Sequence, residues 1–203
     1  MRNLTSPAPA DVFIHPGGLC ESADVGAGTR VWAFAHVLPG AVVGRDCNIC
    51  DGAFIEGGAT IGDRVTIKNQ VLLFEGVTIE DDVFLGPGVV FTNDLRPRAH
   101  IKRHGAALLP TTVRRGSTLG AGVVVVCGIT IGAHAFVGAG AVVHRDVPAH
   151  AFMVGNPARQ VGWVCLCGER LTDNFSCRGC SRTYCRVDQG LESAVLTAGG
   201  TPA

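Results

Sequence analysis

The feature that most constrains this chain is an aliphatic residue or Phe at every sixth position. The series begins at Leu19, runs without a gap to Phe91, breaks, and resumes from Leu119 to Val143. Eighteen matches in eighteen places would arise by chance with a probability of roughly 10⁻¹⁰. The positions are Leu19, Val25, Val31, Val37, Val43, Ile49, Ile55, Ile61, Ile67, Leu73, Ile79, Leu85, Phe91, Leu119, Val125, Ile131, Val137 and Val143.

The spacing predicts a particular solenoid. A small or modest apolar residue follows each large one after four positions, and the next position is often glycine. A hexad of this kind is typical of a parallel β-helix with a triangular cross-section. Three hexads make one coil, so we expect about six coils and a prism roughly 29 Å tall at about 4.8 Å per strand. The predicted fold class is therefore all-β, a parallel β-helix.

Composition excludes two classes of partner. The 17 Lys and Arg residues balance 17 Asp and Glu residues, and no basic run is longer than a pair. Such a chain lacks the charge that binds nucleic acid or an anionic membrane. The uncharged stretch 116–143 resembles a membrane span. Its seven glycines are too many for a stable helix. We therefore expect neither nucleic acid nor membrane as a partner.

The break in the series predicts a loop. Phe91 and Leu119 are 28 residues apart, which is not a multiple of six, so residues 92–116 should leave the prism. Long loops on rigid scaffolds often carry function. This one is rich in cations, which are Arg96, Arg98, Lys102, Arg103, Arg114 and Arg115.

Polar side chains gather at the start of this loop. Glu75 and Asn93 are eighteen residues apart, and each lies two positions after a core residue. They should point outward and lie one strand spacing apart, with Glu56 and Thr92 in the adjacent column. Two interpretations remain open at this point. The cluster is either a catalytic site beside a basic loop or a solvated face whose Asn serves the turn.

Three segments resemble the hexapeptide-repeat acyltransferases. They are VWAFAHVLPGAVVGRDCNI, VTIKNQVLLFEGVTIEDDVFLGPGVVFTNDLRPR and VGAGAVVHRDVPAHAFMVGNPARQVGW. The strings KNQV, EDDVFLGP, FTNDLRPR and GNPA narrow the resemblance to N-acetyltransferases of nucleotide-linked amino sugars. The chain is similar, over residues of about 14–163, to enzymes that acetylate the 3-amino group of UDP-2-acetamido-3-amino-2,3-dideoxyglucuronate for bacterial surface polysaccharides. The resemblance implies a left-handed β-helix, a homotrimer with active sites between neighbouring prisms, and acetyl-CoA as cosubstrate.

The resemblance also implies site residues. Asn93 would orient the sugar amine toward the thioester, and water, the thiolate product or Glu75 would accept its proton. The implied substrate-binding residues are Lys68, Asn69, Asp94 and Arg98; a guanidinium suits a pyrophosphate or a uronate carboxylate. The implied coenzyme-binding residues are Gly138, Gly155, Asn156, Pro157, Ala158 and Arg159. Relatives often have Asp in place of Glu75 and Thr in place of His144, so the sugar preference stays open.

The histidines suggest a competing function, that of a zinc enzyme. Some hexapeptide prisms resemble γ-carbonic anhydrases, which hold zinc through three histidines between subunits. The candidates here fall in the loop or on different faces, which favours surface histidines; they are His100, His104, His134 and His144. His36 directly precedes core Val37, should point outward, and is a candidate substrate contact. A third possibility is a noncatalytic trimeric scaffold, although a scaffold has no need of a basic loop beside Asn93.

Nine cysteines indicate a reducing compartment. The number is odd, and the N-terminal segment lacks the apolar core of a signal peptide, so we expect a cytoplasmic protein. Four cysteines scattered through the prism should be buried apolar residues; they are Cys20, Cys47, Cys50 and Cys127.

The remaining cysteines crowd into GWVCLCGERLTDNFSCRGCSRTYC. The spacing of four of them is close to that of a zinc ribbon, although the first pair is C-x-C; they are Cys165, Cys167, Cys177 and Cys180. One zinc would staple a segment too short to have its own core. A redox pair and an unliganded tail remain open, with Cys185 as a spare ligand. We therefore expect a flexible tail (1–12), the β-helix (13–163), a zinc-binding appendage (164–186) and a second flexible tail (187–203).

Overall fold

Strands of two residues dominate the structure, a computed structural model that describes residues 11–194. The strands are β1 (Phe13–Ile14), β2 (Leu19–Cys20), β3 (Arg30–Val31), β4 (His36–Val37), β5 (Val42–Val43), β6 (Asn48–Ile49), β7 (Phe54–Ile55), β8 (Thr60–Ile61), β9 (Thr66–Ile67), β10 (Leu72–Leu73), β11 (Val77–Ile79), β12 (Phe84–Leu85), β13 (Val90–Phe91), β14 (Thr111–Val113), β15 (Thr118–Leu119), β16 (Val124–Val125), β17 (Thr130–Ile131), β18 (Phe136–Val137), β19 (Val142–Val143), β20 (Ala151–Val154), β21 (Arg159–Trp163), β22 (Tyr184–Val187) and β23 (Gly190–Ser193). A 3-10 turn spans Gly105–Ala107.

Three sheets form the sides of a prism. Face 1 has the order β1-β3-β6-β9-β12-β15-β18-β20-β21, face 2 has the order β2-β4-β7-β10-β13-β16-β19, and face 3 has the order β5-β8-β11-β14-β17. Neighbouring strands are parallel except β20 and β21, which form an antiparallel hairpin. The coil is left-handed, against the usual rule for parallel connections. The all-β prediction is confirmed.

The six-residue rhythm fills the interior. Seventeen of the eighteen predicted positions are buried, and they form one continuous core with the small residues between them. Successive strand residues point to opposite sides, so each two-residue strand turns one side chain inward and one outward. Face 2 has seven strands, so the prism has one coil more than predicted.

The prediction was wrong at its first position. Leu19 is 48% exposed, and Cys20 pairs with Val37 and packs against the core instead. Val25 follows Cys20 by five positions instead of six, so the first coil is one residue short. Because strand side chains alternate, a shift of one residue turns Leu19 outward.

The loop is shorter than the predicted 92–116. Thr111 begins β14, and Val113 is fully buried six residues before the predicted restart of the series. The loop therefore covers residues 92–110. Arg114 and Arg115 lie outside it, at the bend that follows β14, where the Arg114 guanidinium lies 2.8 Å from Glu80 Oε1.

The chain continues past the prism into a small appendage, residues 164–194. β22 and β23 form an antiparallel hairpin, and Leu191 is buried against Cys165 and Tyr184. The predicted flexible tail from residue 187 was therefore wrong for residues 187–194, because Leu191 completes an apolar cluster. Residues 1–10 and 195–203 lie outside the described part. Within residues 11–194, no helix is long and apolar enough to cross a membrane.

Candidate active site

Glu75 and Asn93 stack at the bend where face 2 turns into face 3, which we call the loop corner. Their strands pair through Leu72 and Val90, eighteen residues apart, and this confirms the predicted register. Asn93 Nδ2 donates a hydrogen bond of 3.3 Å to the backbone oxygen of Glu75. The Glu75 N–H in turn donates to Glu56 Oε2 at 2.9 Å. Three successive coils are thus joined by one chain of hydrogen bonds.

Asn93 also closes the base of the loop. Its backbone oxygen accepts a hydrogen bond of 2.9 Å from the N–H of Leu109, where the loop returns to the prism. Its neighbour Thr92 accepts a hydrogen bond of 3.0 Å from the N–H of Cys127 in the next coil. Asn93 is half-buried and is held by hydrogen bonds on both sides. Its amide therefore lies on the prism, at the point where the loop begins.

The loop folds around Asp94. The Asp94 carboxylate accepts a hydrogen bond of 2.8 Å from the Arg96 N–H and one of 2.9 Å from Arg103 Nη1. The Arg96 N–H and then the Arg103 guanidinium lower the pKa of Asp94. Both side chains line a cavity of about 280 Å³ within the loop. Asp94, predicted to bind substrate, is thus already engaged in the loop's own structure.

Arg98 has a different environment. Arg98 lies on the exposed side of the loop. Its guanidinium donates one hydrogen bond of 3.0 Å, to the backbone oxygen of the adjacent Pro97. That contact leaves most of its donors directed to solvent, since a guanidinium carries five N–H groups. Arg98 can therefore reach an anionic ligand without breaking an ion pair.

Lys68 and Asn69 lie apart from Asn93 in the same chain. They follow β9 at the bend from face 1 to face 2, which we call the coenzyme corner. Asn93 follows β13 at the loop corner, so the strands of face 2 lie between the two groups. One chain does not bring the two predicted halves of the site together.

The predicted coenzyme residues meet at the coenzyme corner. Gly155 to Ala158 form the tip of the β20–β21 hairpin, and the Asn156–Pro157 peptide is cis. The Gly138 N–H donates to the Met153 oxygen at 2.8 Å, and the Ala158 N–H donates to the Val142 oxygen at 2.9 Å. A Cβ on Gly138 would lie 3.0 Å from Val154 Cγ1, so close packing favours glycine there. The exposed Arg159 begins the return strand.

His36 points outward from face 2, as predicted. Its Nε2 lies 2.8 Å from Glu21 Oε2, and its ring meets the edge of Phe54 at 6.0 Å. Sequence reasoning missed Glu21 because the register was counted from Leu19. Counting from Cys20 would have placed Glu21 at the bend beside His36.

Comparison with known proteins identifies the family. Residues 22–57 match the model "Bacterial transferase hexapeptide (six repeats)". The chain is 52% identical over 186 residues, covering 91% of the chain and 95% of the relative, to dTDP-3-amino-3,6-dideoxy-alpha-D-galactopyranose 3-N-acetyltransferase of Aneurinibacillus thermoaerophilus. The chain belongs to the hexapeptide-repeat sugar N-acetyltransferases.

Solved structures agree with this family. A variant of perosamine N-acetyltransferase from Caulobacter crescentus, in complex with CoA and GDP-perosamine, is 27% identical with a TM-score of 0.55. That match covers 71% of this chain and 58% of the other. The acetyltransferase domain of PglB from Neisseria gonorrhoeae, in complex with acetyl coenzyme A, is 21% identical with a TM-score of 0.54 and shares the fold. That match covers 74% of this chain and 58% of the other.

This acetyltransferase carries a cluster of thiols in its appendage. The four Sγ atoms predicted as ligands lie within 4.8 Å of one another; they belong to Cys165, Cys167, Cys177 and Cys180. The Cys165–Cys180 and Cys167–Cys177 Sγ distances are 3.4 and 3.5 Å. Tetrahedral zinc with bonds of about 2.3 Å sets its sulfur atoms about 3.8 Å apart, so the thiols fit the ion.

Neighbouring donors favour a thiolate at Cys165, whereas the neighbouring thiols raise the pKa of Cys167. The Tyr184 hydroxyl lies 3.1 Å from Cys165 Sγ, and Arg182 Nη1 lies 3.5 Å from Cys180 Sγ. Burial raises the pKa of Cys165, but the Cys167 N–H and the Tyr184 hydroxyl outweigh it and lower that pKa to about 6. The spare candidate, Cys185, lies outside the cluster; its thiol contacts the Glu192 oxygen at 3.7 Å.

The histidines form no comparable group. Across residues 11–194, the cysteine quartet is the one set of three or more potential metal ligands that the fold brings together. His134 stacks on His150 with ring centroids 5.0 Å apart. His144 lies at the loop corner on the other side of the prism, and His100 and His104 are exposed in the loop. Membership of the acetyltransferase family leaves the carbonic anhydrase and scaffold alternatives without support.

Proposed function

We propose that this enzyme transfers the acetyl group of acetyl-CoA to the 3-amino group of a nucleotide-linked sugar for surface polysaccharide synthesis. The observation that carries the proposal is the 52% identity, over nearly the whole of both chains, to a 3-N-acetyltransferase of a dTDP-linked amino sugar. The perosamine enzyme that shares the fold binds CoA and a GDP-linked sugar. Asn93 and Arg98 supply an amide and a free cation where such a ligand would lie.

An outward column on face 2 supports a homotrimer. Its members are mostly large and apolar, namely Leu19, His36, Phe54, Leu72, Val90, Val124 and Val142. The outward column of face 3 is mostly threonine, namely Val42, Thr60, Thr78, Thr112 and Thr130. A long apolar strip on a soluble protein marks an interface. If face 2 of each protomer lies on a three-fold axis, the coenzyme corner of one meets the loop corner of the next.

The site that this packing would create is chemically sufficient. Lys68 and Asn69 from one protomer and Asn93 and Arg98 from its neighbour would hold the sugar nucleotide. Because Asn93 Nδ2 already donates to a backbone oxygen, its Oδ1 is free to accept a hydrogen bond from the sugar amine. The amine then attacks the thioester carbon, the C–N bond forms and the C–S bond breaks. Backbone N–H groups at the glycine-rich coenzyme corner can stabilise the developing oxyanion.

The proton on nitrogen needs an acceptor. In this proposal positioning supplies much of the rate, and no single strong base is required. Either water or the leaving CoA thiolate would accept this proton, and the thiolate would thereby become a thiol. Glu75 is the remaining candidate. The Glu75 side chain packs over Gly58, in the coil on the side away from Asn93. Asn93 contacts the backbone oxygen of Glu75 and not its carboxylate.

Glu75→Gln tests the choice of proton acceptor. We expect kcat/KM to fall by less than about tenfold, because a lost general base costs roughly 10²–10⁴-fold. The pH profile of kcat/KM should keep every titration seen in the wild type. Disappearance of one limb of that profile, with the fold intact, would identify Glu75 as the base and contradict the proposal.

The substrate is tested by radiolabelled acetyl transfer to a panel of amino-sugar nucleotides. A dTDP-linked 3-amino-3,6-dideoxy sugar and a UDP-linked 3-amino-uronic acid are the first two members, the second because Arg98 suits a carboxylate. The matched control is each sugar with a hydroxyl at the 3-position. We expect labelled product from at least one 3-amino sugar and none from its control. Absence of transfer to every member would contradict the proposed substrate class.

We further propose that one zinc ion binds the cysteine quartet and that the enzyme works in the reducing cytoplasm. All nine cysteines are free thiols, and four of them meet at tetrahedral spacing. We expect one zinc per chain in protein purified without chelator, measured by elemental analysis and native mass spectrometry. Cys177→Ser should lose the metal, whereas Cys185→Ser should retain it. Zinc-free protein whose mass is lower by four hydrogens would indicate two disulfides instead.

A further inference from the structure

The appendage is joined to the coenzyme hairpin by continuous backbone. β21 returns from the GNPA tip and reaches Cys165 after a single residue, Val164. The Val164 N–H donates to the His150 oxygen at 2.8 Å, and His150 Nδ1 donates to the Val164 oxygen at 2.9 Å. This pair of hydrogen bonds fixes the base of the hairpin immediately before the first thiol of the quartet.

A second connection runs from β23 to the last coil of the prism. The Ala149 N–H donates to the Gln189 oxygen at 2.9 Å, and the Leu191 N–H donates to the Ala149 oxygen at 3.2 Å. Gly190 between them has a φ of +130°, and a Cβ there would overlap the Ala149 backbone. The appendage and the strand that leads to it therefore hold the last coil at Ala149 and His150.

Buried rings fill the junction. The His150 and Tyr184 ring centroids are 4.8 Å apart, and both residues are at most 5% exposed. The Tyr184 hydroxyl reaches Cys165 Sγ at 3.1 Å. On the outer side, the Arg170 guanidinium lies 5.1 Å from the Phe152 ring and donates to the Val161 oxygen at 3.1 Å. Arg170 thus contacts both strands of the hairpin.

The buried core of the appendage is small, and the side chains packed around it are only partly buried, namely Trp163, Leu171, Phe175 and Cys180. Its buried cluster consists of Cys165, Cys177, Tyr184 and Leu191, so half of its core is thiol. A segment of this size usually needs a metal or a disulfide to fold, and metal binding then supplies folding free energy. The contacts to the hairpin exist only while the appendage is folded.

We propose that the metal-folded appendage is a clamp that holds the β20–β21 hairpin in place and thereby sets the affinity for coenzyme A. The clamp rests on the proposed function, because it assigns the hairpin tip to coenzyme binding. The residues of the clamp are positioning residues, since their described contacts reach the base and the strands of the hairpin and not its tip. The hairpin pairs with the prism through β18, its tip is held by two hydrogen bonds to Val142, and the appendage supports its base and its outer side.

The test compares zinc-loaded, chelator-treated and zinc-restored protein. Hydrogen exchange reports the protection of residues 151–163, and calorimetry reports the affinity for free coenzyme A. We expect chelation to raise exchange in residues 151–163 and to weaken coenzyme binding about tenfold, within the usual range for coupled sites. Zinc should reverse both effects, and coils from residue 30 to residue 91 should keep their protection.

Gly190→Val separates docking from metal binding. Its side chain should push β23 away from Ala149, so we expect zinc to stay bound while the hairpin exchanges faster and coenzyme binds more weakly. Cys185→Ser, outside the quartet, should match the wild type. Unchanged hairpin protection after chelation and in Gly190→Val overturns the clamp. If zinc-loaded wild type does not bind coenzyme A at all, the proposed function fails, while hydrogen exchange still decides whether the clamp exists.

Discussion

Replacing Asn93 with Ala should lower kcat for acetyl transfer about 100-fold, the usual cost of a misplaced reacting group. The reason is geometric: the Asn93 amide is held by the Glu75 oxygen below it and by the closure of the loop at Leu109. Its free oxygen is the atom that would direct the amine lone pair toward the thioester. Affinity for coenzyme A should not change, because the proposed contact of Asn93 is with the sugar amine and not with the coenzyme. Steady-state kinetics and calorimetry measure the two quantities separately.

The isosteric variant sharpens this test. Asn93→Asp keeps an oxygen acceptor but cannot donate to the Glu75 oxygen, so we expect a rate between those of Ala and the wild type. Circular dichroism should show the same strand content in all three proteins. A wild-type rate in Asn93→Ala would mean that Asn93 only stabilises the turn at the start of the loop. That is the simpler of the two interpretations that the sequence left open.

The column of Glu75 and Asn93 could be predicted because a regular solenoid converts sequence separation into position. Eighteen residues make one coil, so two outward residues at that separation must stack, whatever their chemistry. The same rule failed at Leu19, since Leu19 and Cys20 are both acceptable in a core and periodicity alone does not detect a shortened coil. It also missed Val113, which lay within a segment already assigned to the loop.

Residues outside the repeat were harder to predict for a physical reason. The loop has no period, so nothing in its sequence indicated that Asp94 would pair with Arg103 at 2.9 Å. Leu191 lies in a segment rich in small and polar residues, and its burial depends on Tyr184 and the thiols. Such contacts follow from tertiary packing, which a pattern of single residues does not encode.

A second large effect on activity is expected from the separation of Lys68 and Asn93 within one chain. If the site forms between protomers, Lys68→Glu and Asn93→Ala impair different partners in the same site. Each variant alone should lose about 100-fold in kcat/KM. For Lys68→Glu the reason is the loss of a charged partner, which costs about 2–5 kcal/mol, and for Asn93→Ala it is the misplaced amine. In a trimer that contains both variants, one of the three interfaces unites a native Lys68 with a native Asn93. Mixed trimers, isolated through two different tags, should therefore recover about one third of wild-type activity.

A same-corner mixture is the matched control for this recovery. Lys68→Glu and Asn69→Ala alter the same coenzyme corner, so no interface in their mixed trimers has both residues native. These trimers should stay as inactive as their parents if both residues bind substrate. Mixed trimers of Lys68→Glu and Asn93→Ala that do no better than the control would mean that one chain builds its own site. In that case the loop must cross face 2 when substrate binds, because the fold places the strands of that face between the two residues.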